Sequence, residues 1–162
     1  MAPTKPQVIH NTFVIERSYP QSVSRVYAAF TQPEQKLRWY AENDHEPVGF
    51  EMDFRVGGRE RARYRFKKGH QFAGVEIDNQ TTFQDIVPEK RIIVTSTMAF
   101  AGNTISIVLV TFEFFPTGAG TDLVCTHQGV FFEHSDGPVM REQGWKVIFD
   151  RLGNLLAQAD SK

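Results

Sequence analysis

Phe50–Phe66 reads FEMDFRVGGRERARYRF. Phe50, Met52 and Phe54 alternate with Glu51, Asp53 and Arg55, and Val56-Gly57-Gly58 then supplies the positive-φ positions of a hairpin turn. The return arm places Arg59, Arg61, Arg63 and Arg65 on one side and Ala62, Tyr64 and Phe66 on the other. A period of two on both arms, with turn residues between them, is the mark of an antiparallel sheet. This stretch decides the fold because the period changes here, from helical before Val48 to two after it.

Downstream the same period continues. Strands are expected at Phe72–Ile77, Thr81–Ile86, Arg91–Ala99, Thr104–Phe115 and Asp122–Phe132. Lys67-Lys68-Gly69-His70, Val87-Pro88-Glu89-Lys90, Ala101-Gly102-Asn103 and Pro116–Gly120 between them are turn chemistry, so the strands read as a meander. Upstream, Thr12–Ser18 alternates as a first strand, and Val23, Val26, Tyr27 and Phe30 recur at helical spacing. Thr31-Gln32-Pro33-Glu34 fits a capping box opening a second short helix through Trp39 and Tyr40.

The C-terminal segment returns to helix. Ser135-Asp136-Gly137-Pro138 is a start signal. After it Trp145, Ile148, Phe149, Leu152, Leu155, Leu156 and Ala159 share one stripe, while Glu142, Lys146, Asp150 and Asn154 share the other. The order of one strand, two short helices, about six strands and one long helix is an α+β arrangement. Residues 1–11 are expected to be a flexible lead-in and residues 12–160 a single domain.

Composition bounds the function. The chain has 162 residues, 41% hydrophobic and 23% charged, which excludes disordered, collagen-like and disulfide-scaffold classes. Eighteen Lys and Arg against 19 Asp and Glu leave no basic excess, so no nucleic-acid partner is expected. A single cysteine, Cys125, allows no internal disulfide. No signal peptide or membrane-spanning stretch is read, so a cytoplasmic location without membrane insertion is expected. A homodimer is left open. Fourteen phenylalanines must find a place, either in a filled core or around a hollow one.

The motifs carry a resemblance. They are Tyr19-Pro20 with Val23 and Tyr27; Thr31-Gln32-Pro33-Glu34 with Trp39; Val56-Gly57-Gly58-Arg59; and Ile86–Arg91. Gly120-Thr121-Asp122-Leu123 with Thr126-His127, and Gly144-Trp145, complete the set. In this order and spacing the chain resembles the helix-grip fold of the START-like, Bet v 1-like (SRPBCC) superfamily. Within it the chain is similar to the AHSA-type branch, named for activators of the heat-shock chaperone ATPase. The resemblance covers about residues 12–159. It implies a curved antiparallel β-sheet wrapped around a long C-terminal helix, often around a cavity. The superfamily holds small-ligand carriers, cyclases, lipid-transfer domains and a co-chaperone domain, and fold alone does not choose among them. The eukaryotic co-chaperone adds a second half for which this chain has no room, so a chaperone partner is not expected.

Candidate chemistry is sparse. No phosphate-binding glycine loop, zinc motif or nucleophile elbow occurs, the five histidines lack ligand spacing, and no metal, cofactor or catalytic residue is assigned. Cys125 and His127 share one face of a strand with Leu123, so His127 either bonds a ligand carbonyl, acts as an acid or base, or rests as a core histidine. The arginine ladder reads as a solvated outer face, with Glu51 and Asp53 as cross-strand partners. Arg141, on the apolar stripe one turn before Trp145, either meets a ligand carboxylate or carbonyl or snorkels to water. The expected function is binding of a small, largely hydrophobic molecule between sheet and helix. The candidate lining is Trp39, Tyr64, Phe66, Phe83, Met98, Phe112, His127, Phe131, Arg141, Trp145, Ile148 and Leu152, with Phe114 also placed inward. The alternatives are a cyclase-type or aromatase-type enzyme on a hydrophobic substrate, and a protein-interaction adaptor with a filled interior.

Overall fold

The alternating stretches form one seven-stranded antiparallel sheet in a computed structural model that describes residues 7–41 and 45–160, without the side chains of 159 and 160. The strands are β1 (Ile9–Tyr19), β2 (His45–Met52), β3 (Arg59–Phe66), β4 (Glu76–Val87), β5 (Arg91–Phe100), β6 (Asn103–Thr117) and β7 (Gly120–Phe131), in the order β1-β7-β6-β5-β4-β3-β2. Strands β2 to β7 are a pure meander, and β1 adds to β7 from Ile9↔Phe131 to Tyr19↔Thr121. Helices α1 (Val23–Thr31) and α2 (Pro33–Lys36), with a π-helical turn at Leu37–Ala41, follow β1; α3 (Gly137–Asp160) closes the chain. The α+β arrangement read from the periodicities, and the helix-grip fold that the resemblance implies, are both observed.

Several local readings are corrected. β1 begins at Ile9, so residues 9–11 are strand, not lead-in; residues 1–6 lie outside the described residues. The capping box does not form. Thr31 is still helical, its hydroxyl donating to the Ala28 carbonyl at 3.4 Å, and the N-cap of α2 is Gln32. Proline at the next position drives Gln32 into the extended region, which separates the two helices there. Phe72–Ile77 and Thr81–Ile86 are not two strands. Residues 67–75 turn through Gly69 and Gly74, both at positive φ, and Glu76–Val87 then runs as one strand, because Asp78-Asn79-Gln80 pairs on both sides with β3 and β5.

The β2–β3 turn uses its two glycines differently. Gly57 takes positive φ, whereas a Cβ on Gly58 would sit 2.1 Å from the Asp53 carbonyl oxygen. Phe54, read as strand, lies in this turn and packs edge-on against Tyr27 and Phe83. The arginine ladder does face outward. Its partners come from β4 and not from β2: Arg61 meets Asp78 at 2.8 Å, and Arg63 and Arg65 meet Glu76. Exposed pairs of this kind contribute roughly 0–1 kcal/mol each.

Two motif pairs distant in sequence prove to be one joint. The Gly120 Cα sits against the Tyr19 and Pro20 backbone, leaving no room for a Cβ, and the buried Thr121 hydroxyl donates to the Gln21 carbonyl at 2.8 Å. The Tyr19 hydroxyl in turn donates to the Phe149 carbonyl at 2.8 Å, tying α3 to the same corner. The core there is built from Phe13, Ile15, Phe30, Leu123, Phe149, Leu152 and Leu156.

Candidate functional site

The C-terminal half of α3 buries Phe149, Leu152, Leu155 and Leu156. Its N-terminal half crosses the wide part of the curved sheet, where one straight rod cannot fill a concave surface. A cavity of about 710 Å³ remains there, inside the roughly 300–1,000 Å³ span of small-molecule sites. Its floor is the inner face of β5 and β6, with Ile92, Val94, Ser96, Met98, Val108, Val110 and Phe112. Glu60, Tyr64, Asn79 and Thr81 come from β3 and β4. Lys36, Trp39 and Tyr40 enter from α2 and the π-helical turn, and Arg141, Trp145 and Ile148 hang from α3. Lys36, Trp39 and Tyr40 are three and four positions apart, one side of a helical turn. The Trp39 indole donates to the Ala29 carbonyl at 2.8 Å, which fixes its ring in the wall.

Several of the polar groups are paired with one another. Lys36 Nζ lies 2.5 Å from Glu60 Oε1, both side chains nearly sealed from water, with the ammonium also over the Tyr40 and Phe83 rings. Burial, and the Glu60 charge after it, push the Tyr40 phenol well above its ordinary range. Burial raises Tyr64 as well, against a hydrogen bond in which the Asn79 amide donates to its hydroxyl at 3.3 Å. Both phenols therefore stay protonated at neutral pH. Thr81 and Ser96 share a hydroxyl–hydroxyl bond of 2.9 Å.

Arg141 does not snorkel to water. It is buried, donates twice to Asp136 at 2.7 and 2.8 Å, and lies 5.1 Å over the Phe131 ring. Burial would raise the Asp136 carboxyl, but the hydrogen bonds and charge of Arg141 outweigh it and hold it below its usual value. His127 is fully buried, stacked on Phe13 at 4.3 Å, and neither ring nitrogen has a hydrogen-bond partner. Burial, with the Arg141 charge beside it, brings its pKa down to about 4, so the imidazole is neutral. Cys125 is sealed in the core, its thiol pushed up to about 12 by burial, which makes it inert packing. Among the described residues, no three His, Cys, Asp or Glu side chains are placed to hold a metal ion.

Residues 20–157 match the family model described as activator of Hsp90 ATPase homolog 1-like protein (AHSA1). The chain belongs to the AHSA1 family. Among solved structures, a Rhizobium leguminosarum protein is 31% identical over 93% of this chain and 97% of that one, with a TM-score of 0.86. A Rhizobium loti protein is 41% identical over 91% and 98%, with a TM-score of 0.81. An AHSA1-like protein from Aeromonas hydrophila shares the fold at 24% identity over 94% and 96%, with a TM-score of 0.67. No curated protein matches the chain. AHSA1 membership supports a ligand-binding or activator-type domain of the SRPBCC superfamily in general terms. No helix among the described residues is long and apolar enough to cross a membrane.

The AHSA1 fold brings nine of the twelve candidate residues together. Trp39, Tyr64, Phe66, Met98, Phe112, His127, Arg141, Trp145 and Ile148 line the cavity. Phe83, Phe131 and Leu152 do not. They face inward but lie where the interior is closed, Phe83 against Phe54 and Leu152 under the tight end of α3, and Phe114 joins them against Tyr27 and Phe30. Inward phase alone does not separate lining from core, because both share it. Among the groups missed by the sequence reading are Lys36, Tyr40, Glu60, Asn79, Thr81 and Ser96. Glu60 was readable: it shares the phase of Ala62, Tyr64 and Phe66, which puts a carboxylate on the inner face.

Proposed function

We propose that this chain binds a small, largely hydrophobic molecule in the cavity between the sheet and α3. The observation that carries the reading is the 710 Å³ of unfilled interior behind walls that are mostly aromatic and aliphatic. A domain selected for packing alone fills such a space to the density of an organic crystal. Burial of apolar ligand surface supplies the affinity at roughly 25 cal/mol per Å². The cavity mouth supports the same reading: Phe72, Met140 and Val147 reach the lining yet remain exposed, an apolar rim over which such a molecule enters. The adaptor alternative calls for a filled interior, and the cavity counts against it. The cyclase alternative retains one observation in its favour, the buried Lys36–Glu60 pair in the same cavity as His127. The setting is the cytoplasm, where the one cysteine stays a buried thiol.

The test is thermal-shift and native mass spectrometry screening of the purified chain against aromatics, lipids and polycarbonyl compounds. At least one class is expected to raise the melting temperature and to appear as a one-to-one complex. No shift with any class sinks the reading, and turnover of a bound compound replaces it with the enzyme.

A further inference from the structure

The polar side chains of the cavity are not scattered. On the concave face, Glu60 pairs with Thr81, and Thr81 pairs with Ser96, so the three form one row across β3, β4 and β5. Beyond Ser96 the row meets Val108 on β6, and the lining turns apolar through Val110 and Phe112. Lys36 caps the Glu60 end of the row, with Tyr40 beside it on the π-helical turn and Tyr64 further along β3. A π-helical turn is uncommon in itself and recurs at functional sites.

The row holds donors that no protein group uses. The Lys36 ammonium has three N–H groups and one carboxylate contact. The Tyr64 oxygen accepts from Asn79, which leaves its own O–H to give. Whichever of Thr81 and Ser96 accepts in their shared bond keeps its O–H free as well. The charge nevertheless cancels, Lys36 against Glu60 here and Arg141 against Asp136 under α3. Arg151, the remaining cation of the lining, has an interaction within the protein. An ion pair sealed in an apolar wall costs more desolvation than its attraction returns in many proteins, and an apolar pair of the same volume packs as well. Its position in the cavity wall therefore has its explanation in what it meets there.

We infer that the ligand is uncharged and carries a carbonyl oxygen, which the donors of the Lys36–Glu60–Thr81–Ser96 row receive while its apolar skeleton lies on β5 and β6 under Trp145. This rests on the cavity-binding reading above and adds the class of ligand to it. A carboxylate would break the neutrality of the row. A plain hydrocarbon would leave the ammonium desolvated without return.

Three fluorescent probes of one skeleton test it: pyrene, acetylpyrene and pyrenecarboxylate. Acetylpyrene is expected to bind at least about tenfold more tightly than either of the others, the discrimination that one hydrogen bond to a charged donor allows. Its bound emission should sit at the long wavelengths of a hydrogen-bonded carbonyl. In a Lys36→Met, Glu60→Leu double variant, the ratio of acetylpyrene to pyrene affinity should fall to about one, and the emission should move to the blue. Ser96→Ala, a milder change, should reduce the ratio in the same direction. Equal or tighter binding of pyrenecarboxylate overturns the inference, and so does an unchanged ratio in the double variant. Pyrene itself reads the underlying proposal: if pyrene binds without any carbonyl preference, the cavity reading stands and the ligand class falls. Should none of the three bind, the ligand class is rejected, and the cavity reading falls with it if the wider screen of aromatics, lipids and polycarbonyl compounds also shows no shift.

Discussion

At the scale of single residues, His127 has the most direct measurable consequence. Above pH 6.5 the imidazole is neutral in folded and unfolded chain alike. Below it the unfolded chain takes up a proton that the folded one refuses until about pH 4. Stability should therefore fall with pH between 6.5 and about 4, by up to roughly 3 kcal/mol at the lower end, and stay flat above. His127→Phe keeps the ring stacked on Phe13 and removes the titration, so the difference in urea midpoints between the two proteins should widen in its favour as pH drops. No widening would show that the imidazole titrates normally. The Lys36–Glu60 pair gives a second test. Lys36→Met alone strands a buried carboxylate and should cost about 3–5 kcal/mol, while the double change to Met and Leu should return stability to the starting value or above it. A double variant as unstable as the single would mean that the pair stabilises the fold outright. None of this was legible as an interaction, because a pairing so distant in sequence is set by where α2 lands on β3. What was legible was the inward phase of Glu60, and the alternation Arg59, Arg61, Arg63, Arg65 hid it by drawing the eye to the outer face.

At the scale of elements, α3 divides along its length. Its second half is core, with Leu152 and Leu156 fully buried and Tyr19 hydrogen-bonded to the Phe149 carbonyl. Its first half is a roof, with Val139 and Met140 mostly exposed. Leu152→Ala should cost about 2–5 kcal/mol in chemical denaturation, as buried leucines do, whereas Val139→Ser should stay within about 0.5 kcal/mol of the parent. If both changes cost the same, the division is wrong. The sequence showed the stripe from Trp145 to Leu156 but not the division, since a helical wheel has no coordinate along the axis. Turn chemistry misled the reading at Phe72–Ile86 for a related reason. Asp78-Asn79-Gln80 has turn composition, yet Asn79 faces inward to Tyr64 and Asp78 outward to Arg61, so strand pairing on both sides overrides local preference.

At the scale of the whole molecule, the sequence disclosed the class, the meander and the closing helix, because each rests on a periodicity that chain position does not alter. The hollow interior was not readable from periodicity. Seven of the fourteen phenylalanines are buried, and others, Phe66 and Phe100 among them, stand in the wall of the cavity. Nothing in the alternation of β3 or β5 tells a ring that meets another side chain from a ring that meets open space. Filling the space should therefore separate binding from folding. Val94→Phe adds a ring to the floor, and a hydrophobic probe should lose at least about tenfold in affinity while the melting temperature holds or rises, the reverse of a change in packed core. A fall in melting temperature of several degrees would place Val94 in packed core.

The pairing of β1 with β7 has a temporal consequence. Among the described residues β1 pairs with a strand more than a hundred residues further along, since Ile9 faces Phe131 and Tyr19 faces Thr121. During synthesis the meander from β2 onward can zip up hairpin by hairpin, while β1 and its apolar face wait without a partner. The β1 edge of the sheet can therefore be closed only after β7 has emerged, which makes this long-range pairing the late step of assembly.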